Sequence, residues 1–386
     1  MKNLTKLQLE WGRDFESTTT GPLFNIQNPS IKDLELFHLS NELANRFTIS
    51  SQLKSIYLVD CFTKASFIAH LPDTIEDIMI RSCTLDNANI KLPRNTMFFK
   101  IMISDQKHVL PTITNCHELP NLLRVSIHYQ LYQVHDDLEI VNNVQTFINK
   151  LPNSIVRLML KWNIFRDDSE DSDSHLGELT FNNLNHLREL TVESKGMILP
   201  MLDFSHLPDS IENLCLQVDV WNCINELPSH LKFFEINLQH YQESVTHFWL
   251  TFLDHLPIKT FIVIAKLVKE IDFTNFEFDD LRLFSIKFLK NGSSEDENEI
   301  IRSNSSTFLL SNLSMTQAQP TRKLFKIKLP RLRKRLACFK IVDDTSIAFN
   351  HFVIRVPDLK KNEPKFLFHP VNKFELAERQ IAQILP

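Results

Sequence analysis

The chain has 386 residues, 43% of them hydrophobic and 23% charged, enough apolar content to bury a large core and too much for a chain disordered throughout. Its formal net charge of −5 argues against non-specific nucleic-acid binding by the whole molecule. Glycine is scarce at 5 residues, where average usage would give about 27, and none clusters into a loop able to cradle phosphate.

The N-terminal stretch "MKNLTKLQLEWGRDFE" is charged and lacks the apolar core of a signal peptide, and no run of about 18 apolar residues suggests a membrane span. Six cysteines in that setting read as free thiols of a reducing compartment, which places the protein in the cytoplasm. From Leu4 onward the spacing apolar-x-x-apolar-x-apolar recurs: Leu4/Leu7/Leu9, Ile31/Leu34/Leu36, Leu53/Ile56/Leu58, Ile75/Ile78/Ile80, Phe98/Ile101/Ile103 and Leu122/Val125/Ile127. It continues through Ile155/Leu158/Leu160, Leu187/Leu190/Val192, Ile211/Leu214/Leu216, Leu231/Phe234/Ile236, Ile258/Phe261/Val263 and Leu281/Phe284/Ile286. Single hits are common in an apolar chain; a series at intervals of roughly 20–33 residues is the mark of a solenoid. The first coil opens at Leu4 without an evident cap, which leaves two expectations: a further element packs against it, or the chain derives from a longer ancestor.

Many triplets follow a Leu-Pro pair, as in "LPDTIEDIMI" from Leu71 and "LPDSIENLCL" from Leu207. Proline lacks the N–H that a central strand must donate, so it is expected in the turn before the strand. The pattern resembles the leucine-rich-repeat superfamily over about residues 1–290, and its wording resembles irregular fungal and amoebal LP-type repeats, often linked to F-boxes. The resemblance implies an α/β fold: a right-handed leucine-rich-repeat solenoid or horseshoe of uneven curvature, with a mostly parallel concave sheet and few convex helices. It also implies that Cys61, Cys83 and Asn163, three places after the last apolar residue of their coils, turn inward to the backbone of neighbouring coils.

Longer intervals leave room for helices. "DLEIVNNVQTFINKLP" sets Leu138, Val141, Val144, Ile148 and Leu151 on one helical stripe, and "QESVTHFWLTFLDHLP" does the same with Val245, Phe248, Trp249, Phe252 and Leu256. The acidic run "FRDDSEDSDSH" from Phe165 and the polar segment 291–320 lack the apolar content to offset ordering entropy, so both are expected to be flexible insertions. Residues 321–386 then form a last repeat and C-terminal cap. Leu324, Ile327 and Leu329 offer a thirteenth repeat strand, "SIAFNHFVIRVP" and "KFLFHP" offer more strands, and "NKFELAERQIAQIL" reads as an amphipathic helix. Within this segment Arg322, Lys323, Arg331, Arg333, Lys334 and Arg335 make a basic patch, the basis for an alternative nuclear or RNA-associated role.

No zinc spacing, nucleophile elbow or paired-carboxylate motif is present, and Cys116-His117, as neighbours on a strand, would point to opposite faces. The chain therefore reads as non-enzymatic, without cofactor or metal. The residues alternating with the buried triplets give Asp77/Met79/Arg81, Lys100/Met102/Ser104, Arg124/Ser126/His128 and Arg157/Met159/Lys161, followed by Glu189/Thr191/Glu193. Arg81, Lys100, Arg124, Arg157 and Lys161 thus form a cationic band with Met79, Met102 and Met159 as its middle column, suited to an acidic protein partner. The acidic run Asp167 to Asp173 is an internal counter-charge that could satisfy the band instead. The function expected is a protein-interaction scaffold working through the concave face; the F-box resemblance implies, as the alternative, a substrate-receptor-like component of a ubiquitin ligase.

Overall fold

The computed structural model describes residues 4–11, 24–44, 46–86, 89–104, 110–132, 137–165, 179–195, 207–217 and 228–238, and beyond these the strands named below. They divide into two compact units, Met1–Leu202 with His206–Ser210, and Asp203–Ser205 with Ile211–Pro386.

Unit one is built on a parallel sheet whose strands follow one another in chain order. They are β1 (Lys6–Glu10), β2 (Asp33–Phe37), β3 (Ser55–Val59), β4 (Asp77–Arg81), β5 (Phe98–Ile103), β6 (Arg124–Tyr132), β7 (Arg157–Phe165) and β8 (Glu189–Lys195). Each pairs in register with the next, so equivalent residues of successive coils stack in rows. Leu7, Leu34, Ile56, Ile78, Phe99, Val125, Leu158 and Leu190 form one inner row. From Leu34 onward every member of that row is buried, and so are its neighbours from Leu36 to Val192 two places along. This is the parallel coil stack that the triplets imply.

Register corrects the fifth triplet. Phe99 and Ile101 lie beside Ile78 and Ile80, so the coil reads Thr96/Phe99/Ile101 rather than Phe98/Ile101/Ile103. Thr96 fills the first slot although polar, because its hydroxyl donates to the Pro93 carbonyl at 2.7 Å and needs no water. Phe98 is consequently on the outer face.

Where it occurs, the Leu-Pro element closes the turn before the strand. Ile75, Thr96 and Ile155 donate their N–H to the carbonyls of Pro72, Pro93 and Pro152 at 3.1, 3.1 and 3.3 Å. Proline contributes only the acceptor, so its missing donor costs nothing. The hydroxyl residue of the signature stitches one coil to the last. Thr74, Ser154 and Ser210 donate to the carbonyls of Leu53, Leu122 and Leu187 in the preceding coil, at 2.9, 2.8 and 2.7 Å. Each of those leucines opens the triplet of the previous coil. After the strands, His38, Asp60 and Ser82 take left-handed backbone at φ 55, 50 and 52°, a turn made here without glycine.

On the side opposite the outer face, coils return through short paired strands (Phe24–Ile26 with Phe47–Ile49, Phe62–Thr63 with Thr84–Leu85, Asn89–Ile90 with Thr112–Ile113). Helices α1 (Asn41–Ala44), α2 (Ala65–Ala69) and α3 (Asp137–Lys150) interrupt them. In α3 the expected stripe is present: Val141, Val144 and Ile148 are buried, together with Ile140 and Phe147. Cys116–Glu118 is a single 3₁₀ turn rather than the strand expected from the sequence, because Glu118 N–H bonds back to the Asn115 carbonyl at 2.8 Å.

Unit two carries β9 (Asn213–Gln217), β10 (Phe233–Leu238), β11 (Thr260–Lys266), β12 (Leu283–Leu289) and β13 (Ala337–Asp343), parallel and in register. Two more strands, β14 (His351–Pro357) and β15 (Pro364–Pro370), continue antiparallel. The thirteenth coil strand is thus Ala337–Asp343, with Phe339 and Ile341 beside Phe284 and Ile286. Residues Leu336, Phe339 and Ile341 spell the same triplet, which the basic stretch before them obscured. The strand at Thr321–Lys328, expected in that place, lies instead in a second sheet, beside Glu270–Asp272 on one side and Thr307–Ser314 on the other.

Thr307–Ser314 pairs in turn with Glu297–Asn304, so the polar insertion carries strands in this structure. Ile300, Ile301, Phe308, Leu309 and Leu310 supply the apolar strand residues that its overall composition hides. His247–Phe248 is a short strand beside Glu270–Ile271, not helix, in keeping with the β-prone wording "SVTHFW". The rest of that expected helix, the C-terminal helix from Asn372 and the acidic run Asp167 to Asp173 lie outside the described residues.

Candidate functional site: a cationic stretch on the outer sheet face

The outer face of β4 to β8 presents three rows. The first is Asp77, Phe98, Arg124, Arg157 and Glu189; the second Met79, Lys100, Ser126, Met159 and Thr191; the third Arg81, Met102, His128, Lys161 and Glu193. All five expected cations and all three methionines lie on this one face. The methionines do not form a single column: Met79 and Met159 are in the second row, while the two-residue slip of β5 puts Met102 in the third, between Arg81 and His128.

Charges divide the face. Arg157 Nε bonds Glu189 Oε2 at 3.2 Å, and Lys161 Nζ bonds Glu193 Oε2 at 2.6 Å. In-register pairing sets each cation directly opposite its carboxylate, the arrangement that stabilises neighbouring strands. The counter-charge for this half of the band is therefore the next coil. Glu189 and Glu193 were visible in the sequence as the next outward residues, but pairing needed the register. Arg81, Lys100 and Arg124, on β4, β5 and β6, make no ion pair among the described residues. Arg81 and Arg124 are exposed and Lys100 half-buried.

His128 is half-buried at the junction of the two halves. The Asn163 amide nitrogen lies 3.0 Å from its Nε2, and since an amide nitrogen only donates, Nε2 accepts and the ring proton sits on Nδ1. Burial holds the imidazole below its ordinary value, Lys161, Lys100 and Arg81 push the same way, and Glu193 opposes them. The ring is thus a neutral surface between cations. Asn163 does not turn inward: β7 runs on past Trp162, and strand alternation returns Asn163 to the outer face. Asp77 is raised by burial first and by the neighbouring Glu76 carboxylate, with Arg124 pulling it down.

The inward ladder is made by other residues. Leu39 N–H points to Cys61 Sγ and Cys61 N–H to Cys83 Sγ, both at 3.4 Å, and Cys61 Sγ donates to the Leu36 carbonyl at 3.3 Å. Asn115, buried and unflagged by the repeat spacing, exchanges two bonds with Leu92, Nδ2 to its carbonyl at 2.8 Å and Oδ1 from its N–H at 3.0 Å. Cys61 and Cys83 are free, buried thiols, and the bond to Cys61 together with burial pushes Cys83 up.

Of the basic patch, Arg322 and Lys323 lie in the strand Thr321–Lys328 and Arg331 in Arg331–Leu332; Arg333, Lys334 and Arg335 lie outside the described residues. Among the described residues no group of three His, Cys, Asp or Glu side chains could hold a metal ion, and no helix is long and apolar enough to cross a membrane.

No protein-family model matches the chain, and no curated protein matches it. Among solved structures the chain is similar to a circular leucine-rich-repeat protein, CroV588, at 13% identity and a TM-score of 0.31, over 69% of this chain and 42% of that one. The aligned region thus spans less than half of that protein's length.

Proposed function

We propose that the chain is a non-enzymatic protein-interaction scaffold that captures an acidic partner on the outer face of the unit-one sheet. The observation carrying this reading is the division of charge across that face: Arg157 and Lys161 are satisfied by the next coil, whereas Arg81, Lys100 and Arg124 make no ion pair among the described residues, although Arg124 acts at longer range on the Asp77 carboxylate. Three adjacent cations that make no ion pair among the described residues outnumber the Asp77 carboxylate near them, so they raise the local potential and attract an acidic surface, and Met79 and Met102 beside them adapt to its shape. A framework of in-register strands holds these side chains at fixed spacing, which suits recognition of an extended surface.

The test is proximity labelling in cells with the intact protein and its Arg124→Glu variant. The proposal expects a reproducible set of acidic proteins to be lost with the variant while the melting temperature stays within about 2 °C, since exposed substitutions away from packed features change stability little. An unchanged labelled set would show the face to be merely solvated. Nothing among the described residues favours the ubiquitin-ligase role that the repeat resemblance implies.

A further inference from the structure

Register places the three unpaired cations on a line. Arg81 is the fifth residue of β4, Lys100 lies opposite the third residue of that strand, and Arg124 lies opposite its first. Each step crosses one strand, about 4.8 Å, and moves back two residues, about 6.6 Å, so successive Cα atoms on the diagonal are roughly 8 Å apart. In an extended peptide, side chains on one face recur every two residues, at about 6.8 Å. The reach of Lys and Arg side chains absorbs the difference.

Resting on the scaffold reading above, we infer that this face takes an extended peptide segment with acidic residues at alternate positions, one carboxylate for each of Arg81, Lys100 and Arg124. Met79 and Phe98 border the diagonal on one side and Met102 on the other, which gives the segment apolar walls. The stretch is bounded in both directions. Glu35 stands two strands before Arg81's, and Glu189 and Glu193 stand two strands beyond Arg124's. Glu35 is held by Lys6, and Glu189 and Glu193 hold Arg157 and Lys161, so among the described residues neither direction offers a further unpaired cation to a longer polyanion, and a short acidic peptide fits better than single-stranded nucleic acid.

The experiment is fluorescence polarisation with the full chain and two labelled peptides of about nine residues and equal composition, one alternating Glu and Thr and one with its Glu residues in a block. The alternating peptide is expected to bind about tenfold more tightly, the effect of one well-placed charged hydrogen bond. Arg81→Gln and Arg124→Gln are each expected to weaken it by about fivefold to tenfold, while Arg157→Gln, whose wild-type side chain is held by Glu189, changes it less than about twofold. Circular dichroism melts of the same variants separate loss of binding from loss of fold.

Equal affinity for the two peptides, no binding of either, or tighter binding of an oligouridine RNA would overturn the inference. So would an Arg157→Gln effect as large as that of Arg124→Gln. These outcomes leave the scaffold reading standing, because that reading falls only if Arg124→Glu retains the labelled partners.

Discussion

Leu214 is fully buried in the inner row of β9, beside Phe234. Leu214→Ala is expected to cost ~2–5 kcal/mol, read as a lower denaturant midpoint at unchanged slope. The hydroxyl stitches are smaller contributions. Ser154→Ala removes the donor to Leu122 and is expected to cost about 1 kcal/mol by the same measurement, whereas Ser154→Thr keeps most of it. His128 supplies a pH signature. Its folded value is lowered, so the unfolded chain binds the proton more readily and stability rises with pH. The contribution is complete above the ordinary value near 6.5 and is lost as pH falls through the folded value. Melting temperature should therefore fall less steeply below about pH 6.5 in His128→Gln than in the wild type. Lys161, Lys100, Arg81 and Glu193 are the charged groups around that ring, and Asn163 is its hydrogen-bond partner. The inner rows were legible because burial and alternation leave a plain apolar record. The stitching role of Thr74, Ser154 and Ser210 was not, since a hydroxyl beside proline reads equally well as an ordinary turn residue.

At the scale of a strand, β5 decides between two registers. Sequence spacing puts Phe98 in the core; the structure buries Phe99 completely and leaves Phe98 half-exposed. Phe99→Ala is expected to cost ~3–5 kcal/mol and Phe98→Ala much less, and chemical denaturation of the two variants measures the difference. The slip arises because Thr96 occupies an apolar slot and two phenylalanines stand side by side, so either register satisfies the spacing. A slip of two preserves the strand alternation, so Lys100 and Met102 stay on the outer face while Phe98 leaves the first core slot for it, whereas a slip of one would reverse them. Spacing therefore puts the cations on the correct face, but Met102 in the wrong row. Helix α3 was legible because its apolar stripe is long and Pro152 follows it. The strand at Ala337–Asp343 was not, because the dense basic residues before it break the Leu-Pro wording that marks other coils.

At the scale of the molecule, each unit joins the local triplet pattern to long-range parallel pairing, but they differ in how much else they contain. Unit one is coils throughout its described residues. Unit two adds antiparallel pairing at β13 to β15 and a second sheet that includes Thr307–Ser314 and Thr321–Lys328. Those pairings join residues whose partners no local spacing identifies, which is why they could not be read in advance. The outer face was legible in the same uneven way: residue identities gave its charge, and only the pairing of Arg157 with Glu189 and of Lys161 with Glu193 showed which part of that charge is already neutralised. The central claim is that the remaining part captures a partner. Comparing quantitative partner recovery by Arg124→Glu and Arg157→Gln, each at matched expression and with its melting temperature recorded, tests it most directly. The account predicts that Arg124→Glu loses the partners with its melting temperature unchanged, while Arg157→Gln retains them. Recovery by Arg124→Glu equal to that of the wild type would contradict it.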